Sequence, residues 1–243
     1  MMYKKVPALL IAALLLLTGC GRALDRVTNL TPTDTVQELF TAANDAMAAQ
    51  RYARAAKLYQ DIKDGYPFSP YTIEAELSLG DAYFLYRQYT RAAEAYKDFE
   101  MLHPRHEAMP YVLYQLGLSL RLGYVSVDRS STPIEEALEY FNRLVRTFPY
   151  TEYAEKAREE IQACRRLLAM RDVYIADVYW STGNYLSAWT RYMHVIQEYP
   201  DITDAAAYSF AKGEVAYHRY LGRASEGVRE DLEGTWKNLL NWL

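Results

Sequence analysis

The chain is poor in the residues that crosslink or interrupt a fold. Its 243 residues include two cysteines, 11 glycines and 9 prolines, so no disulfide framework can staple it. Positive charge is not in excess either. Lys and Arg number 27 against 31 Asp and Glu, a net charge of −4, which excludes the basic footprint of a nucleic-acid binder. The sequence also lacks a Gly-rich phosphate loop, a His-Glu-x2-His pair, a Gly-x-Ser-x-Gly elbow and any paired-Cys metal pattern, which leaves no visible catalytic or cofactor chemistry. No apolar run is long enough to cross a bilayer, since Val6 to Leu17 spans only 12 residues.

That run nevertheless carries information. Lys4 and Lys5 precede it and small residues close it, the layout of a secretory signal. Leu17-Thr18-Gly19-Cys20 resembles the lipobox of bacterial lipoproteins, which implies cleavage before Cys20 and a diacylglycerol thioether on its sulfur. Gly21, in place of Asp, favours sorting to the outer membrane. Residues 1–19 are thus expected to be a signal peptide. Their loss removes Lys4 and Lys5 and no acid, leaving 25 basic against 31 acidic residues and a net charge of −6. Residues 20–33 read as a lipidated tether, reaching at most roughly 45 Å from Gly21 to Pro32-Thr33 at full extension. Cys164 is then left without a partner. It lies on the stripe Ala154, Ala157, Ile161, Cys164, Leu168, Ile175 and Val178 and is expected to be a small buried hydrophobe.

Tyrosine, at 23 residues, is unusually abundant and is distributed periodically. Ala55, Tyr59 and Pro67 recur with the same spacing as Ala92, Tyr96 and Pro104; as Ala137, Phe141 and Pro149; and as Ala188, Tyr192 and Pro200. Upstream lie Leu79-Gly80 with Tyr83, Leu116-Gly117 with Leu120, and Ile175-Ala176 with Tyr179. This resembles the tetratricopeptide pattern, with Leu-Gly and Tyr on a first helix and Ala, an aromatic and Pro on a second. Small residues such as Gly80 and Ala92 permit close approach of the helices, Tyr83 and Tyr96 fill the space beside them, and Pro104 ends the second helix.

The expected fold is therefore all-α, a tetratricopeptide-repeat α-solenoid of about five helix-turn-helix units. Repeats are placed at 35–67, 70–104, 108–149 with an eight-residue insertion near Tyr124 to Thr132, 151–200 with a long first helix from Glu152 to Ser181, and a degenerate fifth from Thr203. Grouped by region, residues 34–149 hold repeats one to three and 150–243 repeats four and five. Thr35 with Glu38, and Thr132 with Pro133 and Glu135, have capping-box spacing.

A tetratricopeptide array offers a groove lined by first helices. By repeat register the lining is Phe40, Asn44 and Met47; Leu77, Asp81 and Phe84; and Tyr111, Tyr114 and Leu118. Such an aromatic surface suits an extended peptide with aromatic side chains, although any one of these residues can equally pack between repeats. His103 and His106 flank Pro104 in a turn without a third ligand, so a solvated turn is expected rather than a metal site. Glu135-Glu136 and Glu159-Glu160 point in different directions from their helices and suit a wet face.

Three segments narrow the family. Tyr66-Pro67-Phe68-Ser69-Pro70-Tyr71, Leu102-His103-Pro104-Arg105-His106 followed by Tyr111 and Tyr114, and Val127-Asp128-Arg129-Ser130 are together similar to the BamD/ComL lipoprotein family of outer-membrane protein assembly factors. The resemblance runs from the lipobox to about Pro200. It implies a non-enzymatic, lipid-anchored subunit on the periplasmic face of the outer membrane, without cofactor beyond the lipid on Cys20. It also implies partners: the C-terminal aromatic signal of unfolded barrel proteins at the N-terminal repeats, the POTRA domains of a barrel subunit at the C-terminal repeats, and other assembly lipoproteins. Arg191 matches a family arginine and becomes a candidate partner contact. Val127-Asp128-Arg129 is either a contact loop or a loop closed by its own Asp–Arg pair. The alternatives are a pilotin or secretion-system tetratricopeptide lipoprotein, or a cell-wall lytic enzyme with a helical arm, for which residues 201–243 leave too little room for a catalytic domain.

Overall fold

The computed structural model describes residues 36–240, with side chains through residue 226. The proposed signal, Cys20, the tether and the Thr35 cap lie outside the described residues. Nine helices follow in order among them: α1 (Val36–Ala48), α2 (Tyr52–Gly65), α3 (Thr72–Leu85), α4 (Tyr89–Leu102), α5 (Met109–Gly123), α6 (Thr132–Thr147), α7 (Glu152–Ser181), α8 (Tyr185–Glu198) and α9 (Thr203–Leu240). No strand occurs among the described residues. The fold is all-α and of the tetratricopeptide class. Two compact units divide between Ser78 and Leu79, within α3.

Four second helices end in one way. Tyr66, His103, Phe148 and Tyr199 close α2, α4, α6 and α8 with φ from −127° to −135° and ψ from 50° to 55°. Each N–H still donates to the carbonyl four residues back. The cause is the proline that follows, which bars its predecessor from the α region. Three first helices end by a different device. Gln50, Arg87 and Gly183 adopt φ of 57°, 60° and 76°, and the next N–H reaches back five residues, Arg51 to Ala46, Gln88 to Tyr83 and Asn184 to Tyr179. This is the left-handed Schellman closure. Only Gly183 occupies that position without a side-chain penalty.

In the first unit α1 packs on α2 through Phe40, Ala43, Ala46, Ala55, Ala56, Tyr59 and Ile62, all buried. In the second unit α4 packs on α5, α5 on α6, α6 on α7, α7 on α8 and α8 on α9, the neighbour-to-neighbour order of a solenoid. Close approach is real at the expected glycines. A Cβ on Gly80 would lie 2.5 Å from Tyr96 Cε1, and one on Gly117 would lie 2.8 Å from Phe141 Cε1. In the fourth repeat Ala176 and Ala188 are buried with Tyr192.

Two local expectations change. Thr132 does not cap α6: Ser131 is its N-cap, and its hydroxyl donates to Glu135 Oε1 at 2.6 Å. The insertion brings the chain in one residue earlier, and Thr132 takes the first helical turn with Pro133. Glu160 is not on a wet face, because Arg121 of α5 reaches over to pair with it. Cys164 is fully buried, and its thiol is pushed up to about 12 by desolvation, which makes it inert as a nucleophile at neutral pH.

Candidate functional site

The residues proposed for the groove sort into two kinds. Asn44 and Asp81 turn their oxygens to the second helix of their own repeat. The Tyr59 hydroxyl donates to Asn44 Oδ1 at 2.6 Å, and the Tyr96 hydroxyl to Asp81 Oδ1 at 2.6 Å. The same bond joins Tyr192 to Asp177 at 2.5 Å. In all three pairs the acceptor precedes its tyrosine by 15 residues. In the second unit these carboxylates also receive the next first helix. Tyr111 of α5 donates to Asp81 at 2.5 Å, and Tyr208 of α9 to Asp177 at 2.9 Å. Burial raises the pKa of Asp81 despite the two phenols, whose hydrogen bonds act the other way. Tyr111 is raised as well, first by desolvation and then by the Asp81 charge.

The aromatic members gather beside this latch. Tyr111 meets Tyr153 of α7 edge-on with centroids 5.5 Å apart, Tyr114 lies 5.9 Å from Tyr153, and Tyr114 lies 6.1 Å from Phe141. Tyr111 and Tyr153 face a cleft of about 670 Å³ completed by Glu107, Ala108, Pro110, Thr151 and Glu152. The start of α7 holds this wall in place, since Thr151 Oγ1 accepts from Ala154 N at 3.2 Å. The volume fits an aromatic side chain with its neighbours. Sequence reading missed Tyr153, whose contact with α5 is non-local. A signal that could have been found is the repeated spacing of 15 between Asn or Asp and Tyr.

The remaining proposed residues are placed as follows. Phe40 is buried between Tyr59 and Tyr71 at 6.1 and 5.2 Å. Met47, Leu77 and Leu118 are half-buried. Phe84 is half-buried and meets Tyr89 edge-on at 5.5 Å. Arg191 lies on α8 with its side chain 44% exposed and Nη1 3.6 Å from Asp172 Oδ1 of α7; His194 approaches the other oxygen at 3.5 Å.

The sequence profile described as YfiO, outer membrane lipoprotein, matches residues 32–226. The chain belongs to this family. Among family relatives, the outer membrane protein assembly factor BamD of Neisseria meningitidis serogroup A is 29% identical over 221 residues, spanning 86% of this chain and 82% of the relative. The one from Vibrio cholerae is 28% identical over 229 residues, spanning 90% and 92%. That from Caulobacter vibrioides is 26% identical over 196 residues, 79% of this chain and 64% of the relative. The profile covers the latch, the cleft and Arg191 alike.

Other elements of this family member have structural explanations. His103 and His106 pack on Phe99 at 4.9 and 5.3 Å, and His106 Nδ1 accepts from Ala108 N at 3.1 Å. Among the described residues no cluster of His, Cys, Asp and Glu is placed to hold a metal, and no helix is long and apolar enough to cross a membrane. In the insertion, the Arg129 N–H donates to the Ser126 carbonyl at 3.2 Å, and the pKa of Asp128 is lowered first by the Ser126 hydroxyl and less by Arg129.

Proposed function

We propose that this chain is a non-catalytic, lipid-anchored subunit of the outer-membrane β-barrel assembly complex. It binds aromatic-bearing signals of unfolded barrel proteins and couples them to the POTRA domains of the barrel subunit. The observation that supports it most is the cleft beside Tyr111, Tyr153 and Tyr114. Ring faces and edges there offer apolar burial to an incoming aromatic residue, and backbone held extended in the cleft would present alternate side chains to it. Family membership and the names of the relatives supply the complex.

In this reading Cys20 carries the lipid, the cleft lined by Tyr111 and Tyr153 with Tyr114 beside it receives substrate, and Arg191 contributes to the partner face. Asp81 holds α5, which presents the cleft, through Tyr111, while Phe40 and Asn44 make their contacts within the first unit. The test is binding of a synthetic peptide of alternating apolar residues ending in Phe to the full chain. The variant Tyr114→Ala/Tyr153→Ala should bind about tenfold more weakly with unchanged helicity, each lost aromatic contact being worth about 0.5 to 1.5 kcal/mol beyond area. Unchanged affinity would remove the cleft from the reading. Affinity isolation from gently solubilised membranes addresses the complex: recovery of secretin or pilus subunits without a POTRA-bearing barrel would favour a pilotin instead.

A further inference from the structure

The last turn of α7, the first of α8 and the middle of α9 bring cations and rings together in alternation. Lys212 Nζ lies 4.9 Å over the Trp180 ring, and the Arg219 guanidinium 4.8 Å over the same ring and 5.6 Å over Tyr185. Arg223 lies 4.6 Å over Tyr185, and the two rings meet edge-on with centroids 5.3 Å apart. The order is thus cation, ring, cation, ring, cation. All three cations come from one strip of α9, seven and four residues apart, a line about 16 Å long at 1.5 Å per residue.

Neutral groups hold this ladder in place. Arg219 Nη1 donates to the Tyr185 hydroxyl at 3.2 Å, and Arg223 Nη1 to the Gly183 carbonyl at 2.9 Å. Gly183 makes room for the second bond, since a Cβ there would lie 3.0 Å from that nitrogen. Elsewhere arginines are neutralised: Arg121, Arg143, Arg165 and Arg166 each pair with a carboxylate. Among the described residues Lys212, Arg219 and Arg223 pair with none, Glu214 and Glu226 of their own helix included. Asp177, the carboxylate that joins α7 to α9, is taken up by the Tyr192 and Tyr208 hydroxyls. Tyr185 registers the uncompensated charge, its pKa lowered first by the Arg219 hydrogen bond and further by the charges of Arg223 and Arg219. In a chain of net charge −4 the strip is a local reversal of sign.

We propose that this ladder is a peripheral membrane contact, binding the headgroup phosphates of an anionic phospholipid surface. Guanidinium groups with nitrogens left open suit phosphate oxygens, and Trp and Tyr beside Lys and Arg are the side chains that the headgroup zone of a bilayer accommodates. Arg219 and Arg223 are exposed, with Trp180 and Tyr185 half-buried behind them. Three cations in line on one exposed strip match a sheet of repeated charges better than they match a single carboxylate. Val215, between Lys212 and Arg219 on that strip, is 46% exposed and adds an apolar side chain at the same level. The proposal rests on the functional reading above for a membrane close by. It adds a second hold on that membrane, made by folded side chains of the second unit and independent of the lipid on Cys20.

The experiment uses the mature chain from residue 20 with Cys20→Ser, so that no acyl chain supplies attachment. Vesicles are of phosphatidylcholine alone or of equal parts phosphatidylcholine and phosphatidylglycerol. At low salt the chain should sediment with the anionic vesicles and not with the neutral ones, and its partition should fall as salt screens the charges. One cation near such a surface is worth about fivefold in partitioning, so Lys212→Gln/Arg219→Gln/Arg223→Gln should bind about a hundredfold more weakly. Arg223→Gln alone should bind about fivefold more weakly, which keeps the test open if circular dichroism shows the triple variant to be unfolded. Inorganic phosphate at the concentration of the lipid should not release the chain; release would mean a site for a free anion and overturn the membrane contact. Absence of sedimentation, a partition unchanged in the variants, or capture of polyglutamate in place of vesicles overturns it as well, the last assigning the ladder to an acidic protein face. Each of these leaves the functional reading standing, because peptide binding at the tyrosine cleft and isolation of the complex are measured separately.

Discussion

The second and third repeats solve one packing problem with different chemistry. Both press an aromatic side chain of the second helix onto a glycine of the first, Tyr96 on Gly80 and Phe141 on Gly117. Beside Gly80 stands Asp81, which takes the Tyr96 hydroxyl and that of Tyr111 from the next first helix. Beside Gly117 stands Leu118, and Phe141 has no hydroxyl to offer. Acceptor and donor are missing together. The third repeat reaches its successor through other groups, the Arg121–Glu160 ion pair and the Tyr114–Tyr153 contact. The fourth returns to the latch, with Asp177 under Tyr192 and Tyr208. Packing against a small residue is therefore the constant of the repeat, and the polar link to the next repeat is interchangeable. The tyrosine-lined cleft opens beside the Asp81 latch, since Tyr111 belongs to both.

The largest effect should come from removing the rings. Tyr96→Ala is expected to destabilise the chain by about 4 kcal/mol and Phe141→Ala by about 3 kcal/mol in denaturant unfolding, the excess at Tyr96 reflecting a carboxylate deprived of a donor. Equal losses would mean that the latch adds nothing. Next, Phe141→Tyr should cost about 2 kcal/mol, because a buried hydroxyl would face Leu118. Adding Leu118→Asp should recover at least half of that, and a double-mutant cycle without coupling would break the equivalence of the two positions. Smaller still, Tyr111→Phe should cost about 1.5 kcal/mol, the scale of one hydrogen bond to a charged acceptor, and should leave the α5 core, buried at Val112, Leu113 and Leu116, intact by near-ultraviolet circular dichroism.

The smallest effect is one of pH. Asp81 has its pKa raised above 3.8 in the folded chain, so between 3.8 and that raised value the folded state holds more protons than the unfolded one. Its contribution to stability is present below 3.8 and is lost as pH rises through the window. Asp201 acts oppositely. Paired with Arg165, it is lowered to about 2, and what it contributes is lost as pH falls from 3.8 towards that value. The stability difference between the parent and Asp81→Asn should therefore shift in favour of the parent as pH falls towards 3.8. A difference that is flat with pH would contradict the burial of that carboxylate.

Helix order and bounds were legible in the sequence because proline and glycine mark them locally. The long helix from Glu152 to Ser181 was read at the ends it has, and so was the burial of Cys164. The destinations of polar side chains were less legible. Asn44 and Asp81 looked like groove positions because register alone shows which face a residue is on; that each meets a tyrosine 15 residues later depends on the crossing of two helices. Tyr153 escaped for the same reason, since its partners on α5 lie about forty residues back. Glu160 looked solvated until Arg121, 39 residues before it, was brought beside it.

The length of α7 has a consequence for cooperativity. At the junctions between repeats a proline-terminated turn separates one helix pair from the next, and such a turn can open while its neighbours stay closed. Past the turn at Pro149 there is no further seam until Thr182, because the 30 residues of α7 run unbroken and pack against α6, α8 and, more lightly, α5 and α9. Slow amide exchange along α7 should report a single protected block from Ala154 to Ala176, both fully buried. The tyrosine-lined cleft at its start and the helices α8 and α9 packed along it are thereby grafted onto one stiff strut about 45 Å long at 1.5 Å per residue, so a displacement at either end is delivered to the other as rotation instead of being absorbed in a hinge.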